Sequence, residues 1–332
     1  MTPDELRTHL QTAIEIEWST IPPYLCARWS IQDGRNELAA ECIDDVVMEE
    51  MLHLTLACNL LNAIDGEPAL TPPHARLPSY PTYLPHSDKA FEVSLRPFSR
   101  QALETFRSIE RPAPGHAAPE PNRWHTIAQF YAALRDAINE LGPEIFTGKR
   151  DRQIDSSYYY GGGGEAFPVV DVTTANLALE IIVDEGEGIH HSIWDGDDEL
   201  LGESRELAHY FRFDELYRGR QYVEGDTPAS GPTGPPLLVD YSCVQPMRPN
   251  PKAADHPEGS ELRALTQECD RTYSTLLTQL QSAFNGRPEQ LVTSVQTMLE
   301  LRYQAIALMQ VPVGDGQTAG PAFEWRPSRD AV

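Results

Sequence analysis

The 332-residue sequence is poor in basic residues, with 26 Lys and Arg against 50 Asp and Glu, and its formal net charge is -24. A surface this acidic repels phosphate backbones and anionic lipid headgroups, so nucleic acid and membrane surfaces are poor partners for it. No apolar run reaches the roughly 18 residues that a membrane-spanning helix requires. Hydrophobic residues still make up 40% of the chain, which is enough for a packed globular core.

Cysteine is scarce as well: there are five, an odd number, and no two of them form a Cys-x-x-Cys pair. A disulfide framework is therefore not expected, and we predict reduced thiols that pack as small apolar residues. The first residues show no basic segment followed by an apolar run, so we expect no secretory signal. Together these absences predict a cytoplasmic protein.

Strand-like alternation is also missing, and helical periodicity dominates the sequence. The pattern predicts four long helices and a short one between the second and third, at residues 3–31, 37–64, 99–109, 124–146 and 173–194. The pair Pro22 and Pro23 predicts a kink or a local break in the first helix. Two further helices, at 260–284 and 288–310, predict a hairpin packed on the others. The predicted fold class is mainly α, a four-helix bundle with long irregular loops and a C-terminal helical hairpin.

Composition divides the chain into three parts. Residues 1–224 carry the bundle with its inserted loops, 225–259 form a proline-rich connector, and 260–332 form the hairpin. We expect the loops at 66–121 and 147–172 to shape a substrate pocket. The segment that contains His209 and Arg212 lies in a stretch predicted to be irregular, where it either meets an acidic substrate or forms a packed helix.

Glutamates stand on helix faces that are otherwise apolar. Glu17 shares its face with Leu10 and Ile21, and Glu50 lies on a similar face of the second helix. Burying an ionised carboxylate there is costly unless a cation pairs with it, and a metal ion can do so. The acids therefore predict a metal site inside the bundle.

Two helices carry a Glu-x-x-His step, Glu50 with His53 and Glu187 with His190. That spacing places both side chains on one side of a helix. Two such helices, with a lone Glu from each of two others, form the ligand pattern of di-iron and di-manganese carboxylate bundles.

The lone ligand of the first helix is predicted to be Glu17, with Glu15 on a more polar face as the alternative. For the third helix we favour Glu140, with Gln129 and Asp136 as rivals. The predicted metal ligands are Glu17, Glu50, His53, Glu140, Glu187 and His190.

Two nearby cations require several negative ligands to offset their repulsion, and carboxylates can bridge them. One imidazole on each metal completes a shell that suits iron or manganese. We therefore expect two iron ions as cofactors, with manganese as the alternative, and an open coordination position for dioxygen or substrate.

Four segments also resemble a known family. Residues 13–26, 49–54 and 184–190 are similar to three helices of the ferritin-like domain in iminophenyl-pyruvate dimer synthase-type enzymes of violacein and rebeccamycin biosynthesis, and residues 320–324 resemble a later segment. The 33-residue step from Glu17 to Glu50 resembles that of bacterioferritin-type bundles. The resemblance implies a ferritin-like fold, a metal-dependent oxidative role and a place in secondary metabolism.

These observations favour a di-metal oxidoreductase. Dioxygen or peroxide would be activated at the metals and would attack a small organic substrate, with an amino-acid derivative as one candidate. Iron oxidation or storage is the first alternative, and a non-catalytic scaffold is the second. A homodimer is the candidate assembly.

Overall fold

A computed structural model describes residues 1–159, 163–188, 192–196 and 205–327. Within these residues the helices are α1 (Pro3–Ser30), α2 (Glu37–Ala63), α3 (Arg100–Ile109), α4 (Ile127–Leu141), α5 (Val172–Glu187), α6 (His209–Arg218), α7 (Glu261–Ala283) and α8 (Gln290–Leu308). Helix α1 packs against α2 and α4, and α5 packs against the same two, which closes a four-helix bundle. The short helices α3 and α6 pack on each other and on the bundle.

The C-terminal part forms a hairpin of α7 and α8, which pack along each other, and α8 also contacts α1. A two-stranded antiparallel sheet, β1 (Pro312–Gly314) and β2 (Gln317–Thr318), follows the hairpin. Short 3₁₀ turns lie at Pro143–Ile145, Tyr241–Cys243 and Ala253–Asp255. The predicted fold class, mainly α with a C-terminal hairpin, is confirmed. None of the described helices is both long enough and apolar enough to cross a membrane.

Helix α1 runs through Pro22 and Pro23 without interruption, so the predicted local break is wrong. Proline has no N–H, and Pro23 therefore leaves the carbonyl of Ser19 without its usual partner in the helix. The hydroxyl of Tyr80 donates to that carbonyl at 2.8 Å. A side chain from the following loop thus replaces the missing bond and allows the helix to continue.

Helices α4 and α5 end earlier than the sequence predicts, and a glycine follows each of them. Gly142 has φ 71° and Gly188 has φ 89°, a region that favours glycine. A Cβ on Gly188 would also lie 2.7 Å from the carbonyl oxygen of Ser192. Helix α5 therefore stops at Glu187. The stretch predicted to be irregular also contains α6, which is the packed helix that the sequence left open for the segment of His209 and Arg212.

The larger of two hydrophobic clusters in the described part of the chain extends from the bundle into the hairpin. The Trp18 ring stacks on Tyr273 at a centroid distance of 5.9 Å, and its indole N–H donates to the Tyr273 hydroxyl at 2.8 Å. Tyr273 also meets Phe323 edge-on at 5.2 Å. All five cysteines are free, and three of them are buried, as expected for thiols packed as small apolar residues.

Candidate metal centre

Three of the predicted ligands meet inside the bundle. Glu17 from α1 and both Glu50 and His53 from α2 are buried, with at most 4% of each side chain exposed. The Nδ1 atom of His53 lies 3.7 Å from Glu17 Oε2 and 3.9 Å from Glu50 Oε1. These atoms are close enough together to share one cation.

A second group shares Glu50 with the first. Glu110 directly follows α3, and His209 is the first residue of α6. The Nδ1 atom of His209 lies 3.2 Å from Glu50 Oε1 and 3.7 Å from Glu110 Oε2. The rings of His53 and His209 stack at a centroid distance of 5.5 Å. Glu50 therefore lies between the two imidazoles, where a carboxylate can bridge two cations.

Each of the three carboxylates has one oxygen held by a buried hydroxyl group. Thr20 donates to Glu50 Oε2 at 2.7 Å, and tyrosine hydroxyls donate to the other two. The pairs are Tyr131 with Glu17 Oε1, Thr20 with Glu50 Oε2 and Tyr24 with Glu110 Oε1. The second oxygen of each carboxylate faces a histidine Nδ1 atom. Three carboxylate oxygens and two imidazole nitrogens thus converge on one space.

A further carboxylate holds the far nitrogen of each imidazole. The Nε2 atom of His53 lies 2.6 Å from Glu185, and that of His209 lies 2.7 Å from Glu49. If each Nε2 carries the proton for these bonds, each Nδ1 keeps a free lone pair, which is the tautomer that metal-binding histidines use. His209 Nδ1 is buried and makes no hydrogen bond to the described part of the chain. The geometry therefore fits a metal on the Nδ1 side.

The negative charge of Glu49 is paired with the positive charge of a buried arginine. Arg212 donates to Glu49 Oε1 at 2.8 Å and also lies 3.1 Å from Glu206 and 3.6 Å from Asp195. Burial works to raise the pKa of Glu49, but the charge of Arg212 and the bond from His209 outweigh it and hold that pKa at about 2. His209 and Arg212 are therefore engaged with this internal carboxylate.

The inner carboxylates repel one another. Burial, and then the charge of Glu50, raise the pKa of Glu17 to about 8, and the same two causes raise the pKa of Glu110. Burial opposes the charge of Glu50, but the neighbouring imidazoles of His209 and His53 outweigh burial and leave the pKa of Glu50 lowered. The pKa of His53 rises to about 9 because Glu185 outweighs the effect of burial. Without a metal the cluster retains protons, and divalent cations would displace them.

The donor set also fits the chemistry of the expected metals. Carboxylate oxygens with imidazole nitrogens suit iron and manganese, whereas zinc structural sites and copper sites rely more on sulfur. A space of about 20 Å³ adjoins Glu17, Glu50, His53 and Glu110. A space of this size holds about one molecule as small as water.

Glu187 borders that small space but is engaged elsewhere. Its two oxygens accept backbone N–H groups from Ala113 at 2.6 Å and Ala128 at 2.9 Å. It thus joins the loop after α3 to the start of α4. Helix α5 ends at Glu187, the first residue of the predicted Glu-x-x-His step. His190 itself lies outside the described residues.

Glu140 is not brought to the cluster. Its side chain is 76% exposed and lies 3.8 Å from the N-terminal amino group, because it stands on the last turn of α4, away from the cluster. Of its rivals, Gln129 caps the start of α4 and Asp136 is exposed. Helix α4 contributes Tyr131 instead of an acid, which corrects the predicted third-helix ligand. The alternative Glu15 is also elsewhere, since it accepts the backbone N–H of Arg76.

Sequence reasoning missed Glu110, His209 and Glu185. Glu110 directly follows a predicted apolar helix, and His209 begins the aromatic-rich run His-Tyr-Phe-Arg-Phe. Those apolar neighbours were the available signal that both side chains turn inward. Glu185 was not predicted because the Glu-x-x-His spacing belongs to Glu187, two residues later.

The Ferritin-like family matches residues 10–218, a range that includes Glu17, Glu50, His53, Glu110 and His209. The chain belongs to the Ferritin-like family. Its fold is also similar to the 1.95 Å crystal structure of a ferritin like protein from Caulobacter vibrioides, with a TM-score of 0.68 and 22% identity over 98% of this chain and 99% of the other. No curated protein matches the chain significantly. The ferritin-like fold expected from the sequence is confirmed.

Proposed function

We propose that this Ferritin-like protein is a di-metal oxidoreductase that acts on a small organic substrate. Two cations, with iron as the expected metal, would be held by Glu17, Glu50, His53, Glu110 and His209. The observation that supports this most is the position of Glu50 between two histidines whose Nδ1 atoms face it. A pair of iron ions in such a ligand set would supply the activation of dioxygen or peroxide.

The protein's own side chains would hold the metal-binding groups in place and exclude water from the site. Tyr131, Thr20 and Tyr24 each hold one carboxylate oxygen and so leave the other to face inward. Glu185 and Glu49 orient the two imidazoles. Burial of the whole cluster excludes bulk water, which strengthens its electrostatic interactions.

The resemblance to iminophenyl-pyruvate dimer synthase-type domains supports an oxidative role in secondary metabolism, with an amino-acid derivative as one candidate substrate. The free thiols support a reducing, cytoplasmic location. Dioxygen or peroxide would fit the space of about 20 Å³ beside the cluster.

That small space also favours a second function, the oxidation of iron itself. An organic substrate needs more room than the described residues leave beside the cluster, whereas ferrous iron and dioxygen do not. A storage role is less well supported, because long loops and a C-terminal hairpin add nothing to an iron store.

Elemental analysis after anaerobic iron loading tests the site. We expect two irons per chain in the wild type, loss of both in Glu50→Ala and loss of at least one in His53→Ala. Glu140→Ala is the matched control and should keep both, since Glu140 is exposed. A wild-type protein that binds no metal would leave only a scaffold role.

Oxygen consumption then separates the two functions. An iron-oxidising protein consumes dioxygen in proportion to added ferrous iron, and a storage protein would also build a mineral. An oxidoreductase consumes dioxygen with a candidate organic substrate while its bound iron stays at two per chain. Iron turnover without any organic product would contradict the first proposal.

A further inference from the structure

A second space lies on the opposite side of α1 and α2, where the hairpin packs against them. Its volume is about 370 Å³, within the range of about 300 to 1,000 Å³ that is usual for ligand pockets. Trp18 and Ile21 from α1, Leu54 from α2 and Leu276 from α7 are among its walls. The cavity opens to solvent, because Tyr158, Val295 and Leu299 on its lining are 37 to 48% exposed; we call it the hairpin cavity.

The hairpin cavity is long. On α8 its lining runs from Leu291 to Arg302, and along α7 it runs from Tyr273 to Phe284, the residue that follows the helix. Eleven helical steps span about 16 Å. The walls along this length are almost entirely aliphatic, aromatic or methionine side chains, so the cavity suits an extended apolar chain.

Among the described residues, the lining of the hairpin cavity carries one charged side chain that pairs with no other residue. Arg302 and Asp44 are the charged residues on its lining, and Asp44 pairs with Arg28 at 2.7 Å. Arg302 is half-buried and makes no hydrogen bond or ion pair with the described residues. In a chain with a net charge of -24, an unpaired cation at the end of an apolar cavity is a feature that an anionic group can recognise.

The five lining hydroxyl groups offer little more, since Tyr158 is exposed and the other four make hydrogen bonds within the protein. Thr55 and Ser294 donate to carbonyls of their own helices at 2.8 and 2.7 Å. The Tyr159 hydroxyl donates to the carbonyl of Met48 at 3.2 Å, and that of Tyr273 accepts from Trp18. Recognition in the hairpin cavity therefore depends on apolar contact along its length and on the guanidinium group at one end.

We propose that the hairpin cavity binds an extended aliphatic carboxylate, with its chain between α1, α2 and the hairpin and its carboxylate on Arg302. The apolar walls contribute affinity with each buried methylene, and the arginine selects the anion. The site lies outside the metal cluster and does not depend on a bound metal.

Calorimetric titration of the full chain after treatment with a chelator tests the proposal, with decanoate and decanol as ligands. We expect one decanoate per chain, and affinity that rises about fourfold for each methylene added from hexanoate to decanoate. Arg302→Met should weaken decanoate at least about tenfold, because a charged hydrogen bond is lost. It should leave decanol binding unchanged. Arg287→Met, at an exposed position outside the cavity, is the matched control.

A second variant tests the apolar walls. Met298→Trp adds bulk to the lining and should weaken both ligands about tenfold, while the melting temperature reports whether the variant folds. A wild type that does not bind decanoate, or an Arg302→Met variant that binds it equally well, would overturn the proposal. So would a dimer that dissociates in Leu299→Asp while no ligand binds, because the surface would then serve self-association.

Discussion

Helices α1 and α2 separate two spaces that differ in volume and in the polarity of the side chains that line them. Successive residues on a helix point about 100° apart, so Glu17 faces the cluster while Trp18 lines the hairpin cavity, and Glu50 and Met51 divide in the same way. The inner space is about 20 Å³ and walled by carboxylates, whereas the outer one is about 370 Å³ and apolar. One pair of helices can therefore present a cluster of charged side chains on one face and an apolar cavity on the other.

The two faces are stabilised by different interactions. The outer face gains from apolar burial against the hairpin, which is insensitive to pH and to metal. On the inner face, buried carboxylates lie close together and raise one another's pKa. The stability of this part of the protein therefore depends on bound protons or bound cations. Predictions that separate the two faces follow from this difference.

The largest expected effect is a loss of stability of the metal-free protein as the pH rises. Burial raises the pKa of Glu17 and Glu187 to about 8 and that of Glu185 to about 7. Above their ordinary pKa of 4.5 the native state keeps protons that the unfolded chain has released, so the free energy of unfolding falls between about pH 5 and pH 8. His53 has a pKa of about 9, so its contribution to the stability of the native state is complete below about pH 6.5. That contribution is lost as the pH rises to about 9, which extends the fall in the free energy of unfolding.

Urea unfolding at pH 5.5, 7 and 8.5 measures this effect. We expect a fall of at least about 3 kcal/mol in the chelator-treated protein and a much smaller fall after metal loading. Glu49, whose pKa is held at about 2, acts in the opposite direction but only below about pH 4.5. Stability that stays constant or rises across this range would contradict the account of the inner face.

A pair of substitutions distinguishes the two faces at a smaller scale. Leu54→Ala removes a wall of the hairpin cavity and should cost about 2 to 3 kcal/mol with or without metal. Glu17→Gln keeps an oxygen for the Tyr131 hydroxyl while it removes a repelled charge. It should therefore stabilise the metal-free protein by about 1 kcal/mol at pH 8 and lower its metal content. If metal changed the free energy of unfolding of the two variants equally, the proposed difference between the two faces would be wrong.

The sequence predicts the helices of this fold well because their apolar periodicity and end signals are local. The inward positions of Glu17, Glu50 and His53 could be predicted for the same reason, since each lies inside a long, regular helix. Glu110 and His209 could not be found in that way, because they lie at helix ends and are brought to the cluster by the packing of α3 on α6. Glu140 was favoured as the available acid on its helix, but a local pattern does not show that Tyr131 occupies the inward position at the level of Glu17.

The smallest expected effect concerns the joint between the bundle and the hairpin. The indole N–H of Trp18 donates to the Tyr273 hydroxyl, and both groups are buried. Trp18→Phe and Tyr273→Phe should each destabilise the protein. A double-mutant cycle measured by urea unfolding should give a coupling of about 1 kcal/mol.

This coupling should be independent of metal, because the two rings lie on the outer face. Tyr131→Phe is the matched control on the inner face, since it removes the hydroxyl that donates to Glu17 and its effect should change when metal binds. A Trp18–Tyr273 coupling that changes with metal content would mean that the hairpin senses the cluster through α1, and the two faces would then form one cooperative site.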